Sequence, residues 1–237
     1  MTKASLLRAG EGLPQDVQGA ADPRFSNVVR IFAGLFPGRR FGGGALAVYI
    51  DGRPVVDVWT GWSDRSGERA WTADTGAMVF SATKGIAATV IHRLVDRDVL
   101  SYDESVAEYW PEFAANGKDD IRAGCAATPR AGLSHLKGVT KDQLLDHLLM
   151  EEKLAAAGVD HLRGWPAYHA LTYGWILSGL ARAVTGMGMR DLVREEVARP
   201  LNTDGLHPGR PPAEGSNLLS RGIFRSSTAR FRRPTVS

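Results

Sequence analysis

The sequence feature that most restricts the fold is an Asp-Gly pair, Asp51-Gly52, placed between two runs of strand-forming residues. The runs ALAVYI and RPVVDVWTGW are rich in β-branched and aromatic side chains. An Asp-Gly pair in this position favours a type I′ turn, whose two central residues both have positive φ. The sequence therefore predicts an antiparallel hairpin made of these two runs.

Helical periodicity follows the hairpin along most of the remaining chain. Helices are predicted from Lys84 to Val95, over residues 140–158, over residues 171–184 with an end at Gly186, and over MRDLVREEVARP. Thr140 and Gln143 match the capping-box pattern at the second of these, and a shorter helical pattern, FSNVVRIFAGLF, precedes the hairpin. Residues 121–132, IRAGCAATPRAG, show neither helical nor strand periodicity and are predicted to form a loop.

The two ends of the chain differ from its middle. Residues 1–20 are predicted to be a weakly ordered lead-in, residues 21–212 one domain, and residues 213–237 a basic, disordered tail. From Arg210 onward there are six arginines and one acid, a charge of +5 within a chain total of +3, so residues 1–209 carry −2. Because the basic residues belong to the tail, and only Phe224 and Phe231 lie among them, we expect no nucleic-acid partner.

Few features point to a membrane, an oxidising compartment or a metal. Cys125 is the only cysteine, which excludes an internal disulfide and suits a reducing compartment. No segment is apolar enough for a signal peptide or a membrane span, so a cytoplasmic protein without a membrane span is expected. The six histidines lack His-Glu-x-x-His spacing, so no metal or other cofactor is expected. The oligomeric state stays open.

Ser81 and Lys84 form a Ser-x-x-Lys pattern at the start of a predicted helix. Residues three apart lie on the same helix face, so the hydroxyl and the amine would be neighbours. A serine hydroxyl needs an adjacent base to act as a nucleophile, and the exposed N–H groups of a helix start favour developing negative charge. The pattern is therefore suited to acyl transfer. The alternative is an N-cap serine followed by a solvated lysine.

A serine–lysine pair also needs an acid that protonates the leaving group. Tyr168 is the candidate, because it lies in a glycine- and proline-flanked loop just before the predicted helix at residue 171. In the alternative interpretation, Tyr168 and Tyr173 are amphipathic tyrosines at a helix entry. The neighbouring His169 would either tune or contact a substrate, or pack against the protein or face solvent.

These motifs resemble the serine β-lactamase-related hydrolases. VFSATKG, the downstream YHALTYGWILSGLARAVTG, the hairpin region and VAEYWPEFAANGK occur in the family's order. The most similar branch is the family VIII carboxylesterases, which share their architecture with class C β-lactamases and D-alanyl-D-alanine peptidases. The resemblance implies an α+β, β-lactamase/transpeptidase-like fold, with an antiparallel sheet packed with helices and a helical subdomain.

The resemblance also implies residue roles. Ser81 would be the acylated nucleophile, Lys84 its proton-accepting partner, and Tyr168 a general base or acid beside Lys84. The N–H of Ser81 would form half of an oxyanion hole. His169 and Ala170 would contact the substrate. Because Ala170 replaces the motif asparagine that contacts β-lactams, a small-molecule ester is the expected substrate.

Two departures from the family pattern leave alternatives open. Residues 121–132 differ from the helical run that relatives have there. No Lys-Thr-Gly or His-x-Gly motif follows Pro212, so the C-terminal strands are expected to be missing. The leading hypothesis is a serine esterase. The alternatives are a catalytically inactive, shortened homologue kept for binding, and β-lactamase or D-alanyl-D-alanine peptidase-like activity.

Overall fold

The computed structural model describes residues 6–38 and 42–209. Within these, the chain forms two compact units, residues 6–77 and residues 78–209. The first unit contains the sheet and one helix, and the second is helical. The predicted tail, residues 213–237, lies outside the described residues, so the expectation that the C-terminal strands are missing stays a prediction.

The first unit is built on a four-stranded antiparallel sheet in the order β1-β2-β4-β3. Its strands are β1 (Leu7–Arg8), β2 (Gln18–Ala21), β3 (Gly43–Ile50) and β4 (Arg53–Gly61). Asp51 and Gly52, between β3 and β4, have φ angles of 49° and 70°. Both values are positive, as a type I′ turn requires. The predicted hairpin is therefore confirmed.

Helix α1 (Ser26–Gly34) covers one face of this sheet and confirms the helix predicted there. Alternate residues of β4, among them Val56 and Val58, are buried, since successive side chains of a strand point to opposite faces. They share an apolar cluster with Val29 and Phe32 of α1. This cluster is the core of the first unit.

Strands β1 and β2 lie where the sequence predicts a weakly ordered lead-in. β2 pairs with β4 over four residues. At Gly19 a Cβ atom would lie 2.1 Å from the carbonyl oxygen of Asp57, and the φ angle is 102°, so glycine alone permits this approach. The sequence of β2, QGAA, has no β-branched or aromatic residue. Its order comes from pairing with β4, which local sequence patterns do not report.

The second unit consists of helices around α6. These helices are α2 (Thr83–Asp96), α3 (Val106–Tyr109), α4 (Ala123–Ala127), α5 (His147–Ala156), α6 (Thr172–Thr185) and α7 (Met189–Val193), the last followed by a π turn, Arg194–Ala198. Ile176 and Leu180 of α6 pack in one cluster with Val90 and Ile91 of α2. Helix α6 ends at Gly186, whose φ of 73° is the left-handed conformation expected there.

The helix predicted over residues 140–158 is shorter than expected. A 3-10 turn, Asp142–Leu145, comes first, and α5 begins only at His147. Asp146 caps α5, since its carboxylate accepts the N–H of Leu149 at 3.1 Å. The side chain of Gln143 does accept the N–H of Thr140, at 3.3 Å, so half of the capping box forms on the turn. The apolar pattern continues across the break, which is why the sequence predicts one helix.

Residues 121–132, predicted as a loop, contain the short helix α4. Ala123 and Ala126 of α4 are fully buried. At Gly124 a Cβ would lie 3.2 Å from the carbonyl oxygen of Tyr102, so the small residues of this segment permit close packing. A helix of five residues is too short to produce a recognisable period.

In residues 6–38 and 42–209, no helix has the length and apolar character that crossing a membrane requires.

Candidate active site

Ser81 lies in the middle of a 3-10 turn, Phe80–Ala82, that leads directly into α2. Phe80 has a φ of 45°, a left-handed conformation that is uncommon for residues other than glycine. The chain therefore bends sharply just before Ser81, which is exposed at the start of the helical stretch. Lys84 follows in the first turn of α2 and is half-buried, as the predicted Ser-x-x-Lys pattern requires.

Two side chains converge on the hydroxyl of Ser81. The Lys84 amine donates to Ser81 Oγ at 3.1 Å, and the Tyr168 phenol donates to the same oxygen at 2.6 Å. Lys84 Nζ also lies 5.0 Å from the centroid of the Tyr168 ring. The structure thus brings together the three residues that the sequence predicts as catalytic, although Tyr168 is 87 positions after Ser81.

The surroundings of Tyr168 favour its ionised form. The pKa of the Tyr168 phenol is lowered from its ordinary value by its hydrogen bond with Ser81, and further by the Lys84 side chain. The phenol is exposed to solvent. A phenolate in this position could accept the proton of Ser81.

The structure gives Ala170 a main-chain role. Its carbonyl oxygen accepts a hydrogen bond from Lys84 Nζ at 2.7 Å. Lys84 is thus held between this carbonyl and Ser81. The sequence predicts a role only for the side chain at position 170. A contact made by the backbone carbonyl leaves no signal in the sequence.

His169 faces the protein interior, and its contact with a substrate stays a prediction. Its side chain is 1% exposed. Nε2 accepts the N–H of Leu133 at 3.1 Å, and Nδ1 lies 2.7 Å from the carbonyl oxygen of Ala167. Both ring nitrogens are therefore engaged by the protein, which agrees with the packing alternative.

Residues 127–133 hold residues 164–173, the stretch that carries Tyr168, through hydrogen bonds. We call residues 127–133 the support segment and residues 164–173 the Tyr168 segment. The N–H of Ala167 donates to the carbonyl of Pro129 at 2.9 Å. Thr172 Oγ1 donates to the carbonyl of Leu133 at 2.6 Å, and the Tyr173 phenol donates to the carbonyl of Ala127 at 2.9 Å. Sequence reasoning missed this role because the acceptors are backbone carbonyls in a segment without periodicity. Its run of small residues with Pro129 and Gly132 is the one available signal.

Large apolar side chains stand exposed next to the site in the sequence. Phe80 directly precedes Ser81 and is 77% exposed, and Leu171 directly follows Ala170 and is 61% exposed. Met78 and Trp165 are exposed to a similar degree.

Two open clefts elsewhere in the molecule do not involve the site. One, of about 390 Å³, is lined by residues of the first unit including Leu13 and Arg30. The other, of about 690 Å³, is lined by Trp110, Glu151 and their neighbours on α5 and α6. Ser81 lines neither. Among the residues described, no three His, Cys, Asp or Glu side chains group together to hold a metal ion.

Comparison with known proteins points to one family. The sequence model described as Beta-lactamase matches residues 25–231. A Mycobacterium tuberculosis (strain ATCC 25618 / H37Rv) protein, Esterase/beta-lactamase LipL, is 65% identical over 208 residues, which are 88% of this chain and 48% of that protein.

Two solved structures agree with this match. A novel penicillin-binding protein homolog from Caulobacter crescentus superposes with a TM-score of 0.72 at 36% identity, covering 79% of this chain and 51% of that one. A family VIII carboxylesterase superposes with a TM-score of 0.72 at 35% identity, covering 79% and 52%. The predicted β-lactamase/transpeptidase-like fold is confirmed. The chain spans about half the length of these relatives.

Proposed function

This chain belongs to the beta-lactamase family, and from that premise we propose that it hydrolyses small carboxylic esters through an acyl-Ser81 intermediate. The observation that carries the proposal is the convergence of Lys84 and Tyr168 on Ser81 Oγ, at 3.1 and 2.6 Å. These are hydrogen-bond distances, as a nucleophile and its activating groups require.

The proposed reaction uses Tyr168 as the proton carrier. Ser81 Oγ attacks the ester carbonyl carbon while the Tyr168 phenolate accepts the serine proton. When the tetrahedral intermediate collapses, the carbon–oxygen bond to the alcohol breaks and Tyr168 returns the proton to the leaving oxygen. Water then attacks the acyl-serine while Tyr168 accepts one of its protons. As the second tetrahedral intermediate collapses, the bond between the acyl carbon and Ser81 Oγ breaks and Tyr168 returns that proton to Oγ, which releases the carboxylic acid and restores both Ser81 and the phenolate.

Lys84 assists this cycle through its charge and position. The carbonyl of Ala170 holds Lys84 Nζ at 3.1 Å from Ser81 Oγ and 5.0 Å from the centroid of the Tyr168 ring. A cation there favours the phenolate of Tyr168 and the developing oxyanion. Exposed apolar side chains next to the site, such as Phe80, support an ester with an apolar acyl group.

The test is hydrolysis of p-nitrophenyl acetate by the 237-residue chain. We expect turnover in the wild type, none in Ser81→Ala, and an acetyl group on the peptide that contains Ser81. Ser66→Ala, an exposed serine on the first unit, is the matched control and should keep full activity. Equal rates in wild type and Ser81→Ala, with both folded by circular dichroism, would exclude the mechanism. A folded but inactive wild type would favour a binding role.

Hydrolysis of β-lactams is the second candidate. It is supported by the relative at 65% identity that is named an esterase/beta-lactamase. The alanine at position 170, in place of the family's asparagine, favours esters over lactams. We therefore expect Ala170→Asn to raise the ratio of nitrocefin to ester hydrolysis, because the variant adds the amide and keeps the carbonyl that binds Lys84. An unchanged ratio would show that the alanine at position 170 does not favour esters over lactams.

A further inference from the structure

His169 is a buried residue that lies, in the sequence, between the two residues that contact Ser81 and Lys84. Tyr168 precedes it and reaches Ser81 through its phenol, while Ala170 follows it and reaches Lys84 through its carbonyl. Any rotation or shift of the backbone at residue 169 would therefore move both contacts at once.

The partners of His169 determine its chemical form. The N–H of Leu133 is a donor, so Nε2 must present a lone pair, and the carbonyl of Ala167 is an acceptor, so Nδ1 must carry the hydrogen. Only the neutral imidazole protonated at Nδ1 satisfies both partners. No other ordinary side chain places a donor and an acceptor on opposite sides of one rigid ring.

The peptide of Leu133 is held from both of its polar ends. Its N–H donates to His169 at 3.1 Å, and its carbonyl accepts the hydroxyl of Thr172 at 2.6 Å. His169 and Thr172 flank Ala170 in the sequence. The support segment is therefore attached on both sides of the residue that binds Lys84.

We infer that His169 is a positioning residue, whose neutral imidazole joins the Tyr168 segment to the support segment and fixes the Tyr168 phenol at hydrogen-bond distance from Ser81. This role extends to residues 127–133, whose backbone carbonyls and N–H groups receive the connection. The kinetic part of the inference rests on the proposed ester hydrolysis, whereas the geometric part does not.

The first test measures the position of Tyr168 without any substrate. Tyrosinate absorbance near 295 nm is recorded as a function of pH. Subtracting the curve of the Tyr168→Phe variant leaves the absorbance change of Tyr168 alone. His169→Leu, which removes both hydrogen bonds, should move the titration of Tyr168 upward, toward that of an ordinary tyrosine, because the phenol is no longer held at Ser81. An unchanged titration of Tyr168 in a folded His169→Leu variant would show that His169 only packs in the core and does not position Tyr168.

The second test is kinetic and uses graded variants. His169→Asn keeps a donor for Ala167, His169→Gln keeps an acceptor that can reach Leu133, and His169→Leu keeps neither. We expect His169→Leu to lower kcat by about tenfold to a hundredfold, as for a displaced reacting group, with KM changed less than about twofold. The amide variants should recover part of the loss. Equal kcat in all four proteins would overturn the role.

The matched control is Leu154→Ala, a fully buried residue of α5 with no polar contact to the site. It should lower the Tm to an extent comparable with His169→Leu and leave kcat and the Tyr168 titration unchanged. If it alters them equally, the effect of His169 is general destabilisation and the inference fails.

A measurement on the wild type covers the case in which His169 variants do not fold. Nitrogen-15 chemical shifts of the ring should identify the neutral form protonated at Nδ1. The form protonated at Nε2, or a charged ring, would contradict the inference. If wild type shows no ester turnover yet Tyr168 titrates as expected, the proposed function fails and the positioning role stands.

Discussion

Lys84 on α2 donates a hydrogen bond to the main-chain carbonyl of Ala170, 86 positions later in the chain, at 2.7 Å. A backbone acceptor is present whatever side chain occupies position 170. The anchoring of Lys84 is therefore independent of the side chain at this position. Under the proposed function, Ala170→Asn should change substrate preference without disturbing the assembly of the Ser81 site.

The hydrogen bond between Ser81 and Tyr168 makes a prediction about titration. Since that bond is the largest cause of the lowered pKa of Tyr168, Ser81→Ala should raise the pKa toward the ordinary value. The difference in absorbance near 295 nm between Ser81→Ala and Ser81→Ala/Tyr168→Phe measures it. In the proposed mechanism the phenolate is the base, so wild-type kcat/KM should rise with pH through the same transition. A pKa that Ser81→Ala leaves in place would contradict this.

Two glycines of α6 give a matched pair of stability predictions. At Gly179 a Cβ would lie 2.3 Å from the indole carbons of Trp110, whereas at Gly174 it would meet nothing within 4 Å. Gly179→Ala should therefore lower the free energy of unfolding by about 2 kcal/mol through overpacking. Gly174→Ala should raise it by up to about 1 kcal/mol through helix propensity. Urea denaturation measures both, and a Gly179→Ala variant at least as stable as the wild type would show that the indole moves aside freely.

Glu151 and Arg182 form an ion pair between α5 and α6 that can be tested by a double-mutant cycle. Arg182 Nε donates to the carboxylate at 2.7 Å, and the Glu151 side chain is 6% exposed. Arg182→Met should cost about 3 kcal/mol, because it leaves a buried charge without its partner. Adding Glu151→Leu should restore at least half of that loss. A double variant less stable than Arg182→Met would mean that the carboxylate stabilises the fold mainly through Ser178, its other partner.

We expect the free energy of unfolding to depend on pH through the carboxyl group of Asp160. Burial raises the pKa of this carboxyl, but hydrogen bonds from Ser134 and the N–H of Leu162 outweigh that effect and lower it. A lowered pKa means that the carboxylate stabilises the fold above the unfolded value of about 3.9, and that this stabilisation is lost as pH falls through the lower folded value. Asp160→Asn should thus cost about 2 kcal/mol at neutral pH.

The same variant should differ progressively less from wild type as the solution is acidified below pH ~3.9. Urea denaturation at a series of pH values measures this convergence. Asp119→Asn, which changes an exposed carboxylate, is the control and should track wild type throughout. A difference that stays constant down to strong acid would show that the effect of Asp160→Asn is steric.

The hairpin and the Ser81 site were predictable because each has a strong local signal. Asp51-Gly52 requires positive φ at both positions, and Ser81 and Lys84 are one helical turn apart. Tyr168 could be connected with them only through the resemblance to a family. No local pattern predicts a contact between residues 87 positions apart.

The remaining features depend on long-range backbone contacts. β2 is ordered by pairing with β4. The support segment acts through backbone carbonyl groups, which every residue has and which therefore leave no signal in the sequence. The sequence leaves His169 open between a substrate-facing, a solvent-facing and a packed position, because a histidine beside a candidate catalytic tyrosine suits all three. The break before α5 was missed because Asp146 reads equally well as a polar helix residue and as a cap.

The attachment of the Tyr168 segment also limits how this region can change in length. The N–H of Gly164 donates to the carbonyl of Arg130 in the support segment, and the Arg130 guanidinium donates to the carbonyl of Gly164. The N–H of Ala167 donates to the carbonyl of Pro129, so only Trp165 and Pro166 lie between the two attachments. Exposed Tyr168 and buried His169 then follow in alternation. Loss of a single residue here would turn the imidazole outward and the phenol inward. Insertions and deletions, which surface loops ordinarily tolerate, should therefore be as damaging at this loop as replacement of Tyr168 itself.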